Sequence, residues 1–191
     1  ATPLAYWLAR SSRYRFVSRF KVILLGVIAM PLVLPPTVIG FYLLLLMSPN
    51  SLIGQWLSAH NLAGLVFTFE GLVVGSIIYS LPFYVQPVYA QFLRIPKSVT
   101  EMAQLLEASR LRRFIILGSL ISFAHTIGEF GVVLMIGGSI SGETKVISIA
   151  IYEQVEALNY ETAHLMAAVL VVTGMLMVTL IASVSKSMQR S

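Results

Sequence analysis

The stretch Ile-Pro-Lys-Ser-Val-Thr-Glu-Met-Ala-Gln-Leu-Leu-Glu-Ala-Ser-Arg-Leu-Arg-Arg, residues 95–113, is a polar segment between two long apolar runs. Ser98 and Glu101 have the spacing of a capping box, in which the serine hydroxyl accepts a hydrogen bond from an early helix amide and the glutamate reaches back to the serine amide. The pattern predicts a helix that begins near Val99. It also predicts a short apolar stripe on an otherwise polar helix, which needs a protein partner. The stripe consists of Met102, Leu105 and Leu106.

The composition indicates a membrane protein. Of the 191 residues, 57% are hydrophobic and 11% are charged, and the mean hydropathy is +0.85, far from the averages of soluble domains. The lack of cysteine excludes a disulfide framework and thiolate metal sites. The net charge of +5 comes from basic residues in short loops, where they set membrane orientation. No basic surface is large enough to contact a run of backbone phosphates, so we do not expect a nucleic acid as a partner.

Four apolar runs are long enough to cross a bilayer, whose hydrocarbon core takes about 20 helical residues. They predict an all-α, polytopic membrane helix bundle that forms a single transmembrane domain over residues 1–191. A shorter apolar piece, residues 1–8, is expected to be the end of a truncated first helix. Between the spans we expect a short amphipathic segment around Trp56, a glycine-rich loop at residues 137–144 and a helical segment at residues 146–155. The predicted full spans are residues 22–47, 71–93, 114–136 and 162–184.

The basic residues are distributed unevenly between the ends of these spans. Of the thirteen lysines and arginines, only Lys145 lies outside three clusters: before residue 22, between residues 94 and 113, and after residue 184. By the positive-inside rule the three clusters are cytoplasmic. The loop at about residues 94–114 and the C-terminus therefore face the cytoplasm, and the intact protein is expected to cross the membrane five times.

Prolines and two ionisable residues interrupt the apolar runs. Pro31, Pro35 and Pro36 free backbone carbonyls that need neighbouring helices or a wet cavity, so the kink they predict is either a packing irregularity or part of a solute pathway. His125 and Glu129 are four residues apart, so they share a helix face and could pair. Such a pair is either a structural hydrogen bond or a contact with the pathway. A metal site is not favoured, because no third ligand has suitable spacing.

The second predicted span contains two prolines and has a glutamate just before it. Pro82 and Pro87 predict that its helix is broken. Glu70, near the outer end, is expected to be an interfacial residue, with a buried carboxylate as the alternative.

No catalytic set is present in the sequence. It has no aspartate or cysteine, no Gly-x-Ser-x-Gly or His-Glu-x-x-His pattern, and no Walker A sequence. We expect no enzyme activity. The chain is instead expected to act on a transported solute or to bind a partner protein. Energy for transport must then come from outside this chain.

Several stretches carry a resemblance to known permeases. Residues 101–109, EMAQLLEAS, are similar to the cytoplasmic loop of ABC importer permeases, whose pattern is Glu-Ala-Ala, three residues and Gly. Residues 32–40, LVLPPTVIG, and residues 122–131, SFAHTIGEFG, with ISGET at residues 140–144, resemble the molybdate/tungstate permease family of the ModB type. The resemblance covers nearly the whole chain, in order.

The resemblance implies an ATP-driven importer in a prokaryotic inner membrane. Two copies of the permease form a homodimer, each cytoplasmic loop helix fits a groove of one of two ATP-binding cassette subunits, and an external solute-binding protein delivers the oxyanion. No cofactor is expected in this chain, because the partner subunit binds ATP. The implied ATPase-coupling residues are Glu101, Met102, Ala103, Leu105, Leu106, Glu107, Ala108 and Ser109. The implied translocation-path residues are Pro35, Pro36, Thr37, His125, Gly128, Glu129 and Phe130.

The chain departs from the family pattern at three places. Met102 stands where the family has its second alanine, and Glu107 stands where the family has glycine, which adds a charge and could alter coupling. The family also has about eleven residues after the position of Phe114, whereas here Ile115 follows directly. We predict missing residues there, visible as a chain break, because a trans peptide holds adjacent Cα atoms about 3.8 Å apart.

Three alternatives remain open. Sulfate permeases share the loop pattern, so the oxyanion could be sulfate. A self-sufficient channel or ion-coupled carrier would use His125 and Glu129 to relay protons, and its uptake would need no ATPase. An intramembrane enzyme would need a nucleophile or metal constellation that the sequence does not contain.

Overall fold

The computed structural model describes residues 1–9, 15–94 and 101–189, without the side chains of residues 15–16, 94, 101–113, 184 and 187–189. These residues form α-helices, one short 3-10 helix at Met30–Leu32, and no strand, so the all-α prediction is confirmed. The expected short helices around Trp56 and at residues 146–155 are confirmed as the fourth and eighth helices. The helices are α1 Thr2–Ala9, α2 Arg15–Ala29, α3 Pro36–Met47, α4 Leu52–Ala59, α5 Phe69–Arg94, α6 Glu101–Ile127, α7 Gly131–Gly137, α8 Ile147–Glu156 and α9 Tyr160–Gln189.

α5 and α9 are long and apolar enough to cross a membrane without interruption. At about 1.5 Å per residue, their 26 and 30 residues exceed a hydrocarbon core of about 30 Å. The predicted spans 71–93 and 162–184 are therefore confirmed. Two more spans are counted if each of two interrupted helix pairs is one span. The described part of the chain thus contains two to four candidate spans, where we predicted four.

The predicted span 22–47 is not one helix. α2 ends at Ala29, the 3-10 helix follows, and α3 begins only at Pro36. Pro35 has φ −55° and ψ 140°, outside the helical region, because a residue that precedes proline is pushed into extended conformations. Pro36 at the first helical position needs no amide partner. The prolines therefore end one helix and start another, which is more than the expected kink.

α6 joins two segments that we predicted to be separate. It runs from Glu101 through Phe114 without interruption, so the loop helix and the following membrane segment form one helix, and the predicted chain break at Phe114 is wrong. A helical backbone can continue here because Leu, Arg, Phe and Ile all tolerate helix. The predicted capping box at Ser98 and helix start near Val99 lie outside the described residues.

The predicted span 114–136 is also interrupted. α6 ends at Ile127, and α7 begins three residues after Gly128. Glycine disfavours the helix interior. Glu129 then supplies a carboxylate oxygen that accepts from the amide of Val132, a donor that a continuous helix would pair with Gly128. The local hydrogen bond to the side chain replaces the helical one.

Pro82 and Pro87 do not break the second span. Both lie inside the continuous α5, so this prediction is wrong. Prolines are tolerated in membrane helices, because neighbouring helices and local adjustment can satisfy the freed carbonyls. Glu70 is exposed in the first turn of α5, which agrees with the interfacial interpretation.

Three helices start at side chains that cap them. Ser51 Oγ accepts from the amide of Gly54 at the start of α4, and Thr68 Oγ1 accepts from the amide of Gly71 at the start of α5. Asn159 Oδ1 accepts from the amide of Thr162 at the start of α9. Serine, threonine and asparagine are favoured at this position because their oxygens satisfy amides that the first turn leaves open.

The chain divides into two compact units. The first contains Ala1–Leu32, Ser80–His125 and Met177–Ser191. Its core joins α1, α2 and α5, and a hydrogen bond of 2.5 Å links the hydroxyls of Thr2 and Tyr84. The buried residues of this core are Ala5, Leu8, Ile28, Val85 and Val88.

The second unit contains Val33–Tyr79 and Thr126–Leu176. One of its apolar clusters joins α3, α5 and α7, and the other joins α5, α7 and α8. The buried residues of the first cluster are Leu43, Met47, Tyr79, Val132 and Ile136, and those of the second are Leu72, Val133 and Ile149. α7 belongs to both clusters and is therefore central to this unit.

Candidate functional site

Two glycines bring α3 and α7 into close contact. A methyl group at Gly131 would lie 2.7 Å from Pro36 Cβ and 3.1 Å from the amide nitrogen of Thr37. A methyl group at Gly40 would lie 2.8 Å from Met135 Cβ. Cβ atoms do not approach other atoms this closely, so only glycine fits at either position without a shift. The contact places the start of α3 directly against the start of α7.

Glu129 is a buried residue at the start of α7, with 5% of its surface exposed. Its Oε1 accepts a hydrogen bond of 2.8 Å from the amide of Val132. Its backbone carbonyl accepts a hydrogen bond of 2.6 Å from Ser148 Oγ in α8. The carboxylate therefore satisfies a first-turn amide of α7.

Phe130 and Gly128 flank this carboxylate. Phe130 is half-buried and packs on the second apolar cluster, and its ring centroid lies 5.1 Å from that of Tyr152. Gly128 is exposed. Phe130 thus helps to fix α7 against α8, while Gly128 leaves the turn open.

The proline stretch at the start of α3 has a different environment. Pro35, Pro36 and Thr37 are all exposed, although Pro36 also contacts Gly131. No side chain caps this helix start in the structure. Of the predicted path residues in the second unit, the proline stretch and Gly128 are accessible, and Glu129 is not.

His125 belongs to the first unit. Its ring stacks on Phe83 with centroids 3.9 Å apart and an angle of 27° between the planes. Because α6 ends at Ile127, the continuous helix face on which we expected His125 and Glu129 to meet is not formed. Among the described residues, no group of three or more His, Cys, Asp or Glu side chains is placed to hold a metal ion.

The predicted ATPase-coupling residues all lie in the N-terminal part of α6. Their backbone is helical from Glu101 onward, as the sequence predicted. The side chains of residues 101–109 are outside the described part of the structure, so their roles stay predictions.

Sequence reasoning missed the hydrogen-bonded loop between α7 and α8. Thr144, with 1% of its surface exposed, donates to the carbonyl of Gly137 at 2.6 Å and accepts from the amide of Ile140 at 3.1 Å. A threonine in a glycine-rich loop signals a local turn, but its burial depends on distant packing.

An exposed ionic contact lies beside that loop. Glu153 in α8 forms an ion pair with Lys145 and accepts a hydrogen bond from Ser139. Lys145, and then Ser139, hold the pKa of Glu153 below its usual range, because both stabilise the charged carboxylate. A hydrogen bond to Glu156 raises the pKa of Tyr152 in the same helix. These contacts join the loop to α8.

The fold and the site define a polytopic α-helical membrane protein in which broken helices meet through glycines. No protein-family model matches the chain. The chain is 45% identical to the molybdenum transport system permease protein ModB of Azotobacter vinelandii over 186 residues, which cover 92% of this chain and 80% of that protein. It therefore belongs to the family of molybdenum transport system permeases.

Two further relatives show the breadth of the similarity. The ModB protein of Haemophilus influenzae is 33% identical over 85% of this chain and 74% of its own length. The sulfate transport system permease protein CysT of Salmonella typhimurium is 31% identical over 87% of this chain and 63% of its own length.

Proposed function

We propose that this chain is the membrane-spanning permease subunit of an ATP-driven importer for molybdate. The identity of 45% to a molybdenum transport permease over 92% of the chain carries the proposal. The unbroken candidate spans α5 and α9 support it, because a permease must cross the bilayer. The sulfate permease relative is less similar, which favours molybdate; tungstate is the chemically closest second substrate.

The proposed importer has partners that supply what this chain lacks. ATP is bound and hydrolysed by two separate cassette subunits, because the sequence has no Walker A stretch. A second copy of the permease completes the pathway, and a solute-binding protein delivers the anion from outside. The clusters of basic residues support a cytoplasmic C-terminus and a cytoplasmic loop around residues 94–114. This chain has no enzyme activity and no cofactor of its own in the proposal.

α6 gives the proposal a mechanical basis. Its 27 residues extend over about 40 Å at the helical rise. The coupling residues lie at its beginning, and the chain enters the Gly128–Phe130 turn directly after its end. A helix is stiff along its axis, so a displacement that the ATPase imposes on residues 101–109 is transmitted along one element. Separate loop and membrane helices would have to transmit it through a flexible joint.

The exposed proline stretch is the better candidate for contact with the anion. Thr37 offers a hydroxyl donor beside the start of α3, where the helix dipole favours negative charge. Glu129 is buried and would repel an oxyanion at close range. We therefore assign Pro35, Pro36, Thr37 and Gly128 to the pathway surface, and Glu129 and Phe130 to holding α7 beside it. His125 remains a proposed path residue of the first unit.

Reconstitution tests the proposal. The permease, its ATPase and its solute-binding protein are placed in proteoliposomes, and ATP hydrolysis and anion uptake are measured with molybdate, tungstate or sulfate. We expect stimulation by molybdate to be the strongest. Equal and negligible responses to all three anions would reject the substrate, and preference for sulfate would support the alternative permease type. Uptake that follows a proton gradient without the ATPase would instead identify an ion-coupled carrier.

A pair of substitutions in α6 tests the coupling role separately. Leu105→Glu places a charge on the proposed apolar coupling stripe, and Gln104→Glu places the same charge beside it. We expect Leu105→Glu to abolish anion-stimulated ATP hydrolysis and uptake, while Gln104→Glu retains most of both. The thermal stability of the two purified variants should be equal. Full coupling in Leu105→Glu would remove Leu105 from the coupling surface.

A further inference from the structure

α4 is a short helix in the longest uncharged connection of the second unit. Residues 48–69 contain no lysine, arginine, aspartate or glutamate. α4 follows α3 after a turn of a few residues and is firmly attached to it. Ser51 Oγ donates to the carbonyl of Leu46 at 2.6 Å and accepts from the amide of Gly54 at 3.0 Å. The helix is therefore held at the end of α3 and is not a mobile loop.

The two sides of α4 can be assigned from its packing. Gly54 is buried against the turn of Ser48 and Pro49, where a methyl group would collide with the backbone. Leu57, three residues beyond Gly54, is half-buried on the same side, and Ser58 beside it is exposed. Leu52 and Trp56 are also one turn apart, but they are offset from Gly54 by two residues, which places them on the opposite side.

One exposed face of α4 is apolar. Leu52 is 87% exposed, Trp56 is 56% exposed and the neighbouring Ile53 is 45% exposed. The exposed polar residues Gln55 and Ser58 lie on a different face, and the Gln55 side-chain amide donates to the carbonyl of Asn50 at 3.1 Å. A helix on a water-soluble surface has polar residues on its exposed side, whereas the face of Leu52, Ile53 and Trp56 has none. The outward side needs an apolar environment.

The position of α4 indicates which environment that is. α3 belongs to one of the interrupted candidate spans, so its end lies at or near a boundary of the hydrocarbon layer. A tryptophan at such a boundary has the amphipathic ring that membrane interfaces favour. A protein partner would be recognised by complementary charges as well as apolar contact, and this connection offers no charge.

We propose that α4 lies in the bilayer interface at the end of α3, with Leu52, Ile53 and Trp56 inserted among phospholipid chains. This anchor fixes the depth of the end of α3 in the membrane. It goes beyond the transport function and does not depend on which anion is carried. Because the anchor has apolar area and no charge, its insertion is independent of the charge of the lipid headgroups, unlike that of basic interfacial helices.

Tryptophan fluorescence tests the insertion. The chain has two tryptophans, so Trp7→Phe leaves Trp56 as the sole reporter. The full chain with its ATPase is placed in phosphatidylcholine nanodiscs that contain lipids brominated either near the headgroup or deep in the chain. We expect strong quenching by the shallow bromines, weaker quenching by the deep ones, and little quenching by aqueous iodide. Replacing a third of the lipid by phosphatidylglycerol should leave this pattern unchanged.

A matched pair of cysteine variants provides a second measurement that does not need Trp7→Phe. The chain has no cysteine of its own, so a nitroxide at Leu52→Cys or Ser58→Cys is a unique label on one side of α4. We expect the label at residue 52 to be more accessible to oxygen than to a water-soluble nickel complex, and the label at residue 58 to show the opposite order.

Three results would overturn the proposal. Strong iodide quenching of Trp56 with no effect of brominated lipid would place the helix in water. Protection from both quenchers in the isolated permease–ATPase complex would show that a second protein surface covers it. Lipid quenching that disappears when the solute-binding protein is added would make this side a docking surface for that protein.

Discussion

α7 and α9 are both apolar helices of the same chain, but their apolar side chains face different surroundings. Five residues of α7 are buried among α3, α5 and α8, and the helix has only 7 residues. Among the α9 residues whose side chains the structure describes, Ala163 alone is buried. Large side chains of α9 such as Val171, Met175 and Leu176 are exposed.

Apolar side chains therefore have two different roles in this protein: those of α7 pack inside the protein, and those of α9 are suited to contact lipid. α7 extends over only about 10 Å and cannot cross a bilayer; it is held by close packing and by hydrogen bonds at its two ends. α9 is long enough to cross, and lipid chains are as apolar as its own side chains. The same substitution should therefore be costly in α7 and nearly neutral in α9, and pairs of variants can test this.

The largest contrast is expected for glycine. Gly131→Ala puts a methyl group against Pro36 and the Thr37 backbone, which cannot move aside easily, so we expect a loss of about 3 kcal/mol of stability. Gly174→Ala in α9 meets no atom within 4 Å and should be neutral or gain up to about 1 kcal/mol from helix propensity. Reversible unfolding in mixed micelles measures both. Equal effects would show that the close approach of α3 and α7 does not determine stability.

A second contrast concerns the carboxylate at the start of α7. Glu129→Ala leaves the buried amide of Val132 without its acceptor, and we expect a loss of about 2 kcal/mol. Glu129→Gln keeps a carbonyl oxygen at the same place and should retain most of the stability and the transport rate. If Glu129→Gln abolishes transport while the protein stays folded, the charge itself acts in the pathway, and the positioning role is wrong.

Hydroxyl groups give a smaller contrast. Thr144→Val removes the two hydrogen bonds that link the loop after α7 to Gly137 and Ile140, at an expected cost of about 1–2 kcal/mol. Thr173 in α9 is half-buried, and its hydroxyl donates to the carbonyl of Val169 four residues earlier within the same helix. Thr173→Val should change the same unfolding free energy by less than about 0.5 kcal/mol. Similar losses in both variants would mean that burial does not distinguish the two regions.

α9 was predictable from sequence because its determinants are local. A long apolar run and the basic residues after it are both read from neighbouring positions. The same is true of the proline stretch that starts α3, although the sequence did not reveal that it separates two helices.

α7 was not predictable because residues 114–136 form one mostly apolar run in which His125 and Glu129 are the only ionisable residues. The sequence marked Glu129 as important, but its bond to Val132 and its burial depend on contacts with α3 and α8 that sequence spacing does not show. The stacking of His125 on Phe83 is equally non-local. The candidate site was therefore predicted as a set of residues, and the division into exposed and buried members required the structure.

The smallest expected effect is that of the exposed ion pair beside the loop after α7. Lys145 and Ser139 lower the pKa of Glu153 in the folded protein, so this contact stabilises the fold above the ordinary glutamate pKa of about 4.3 and is lost as the pH falls through the lower folded value. The unfolding midpoint of the unmodified protein should fall as the pH is lowered from about 6 to about 3. Lys145→Gln should make this fall smaller. Lys186→Gln, which removes the same charge from α9, should leave it unchanged. Water and salt screen exposed pairs, so the difference between the two variants should be small and should shrink in high salt. An effect as large as that of Thr144→Val would mean that charge at the surface, rather than packing beneath it, holds this region together.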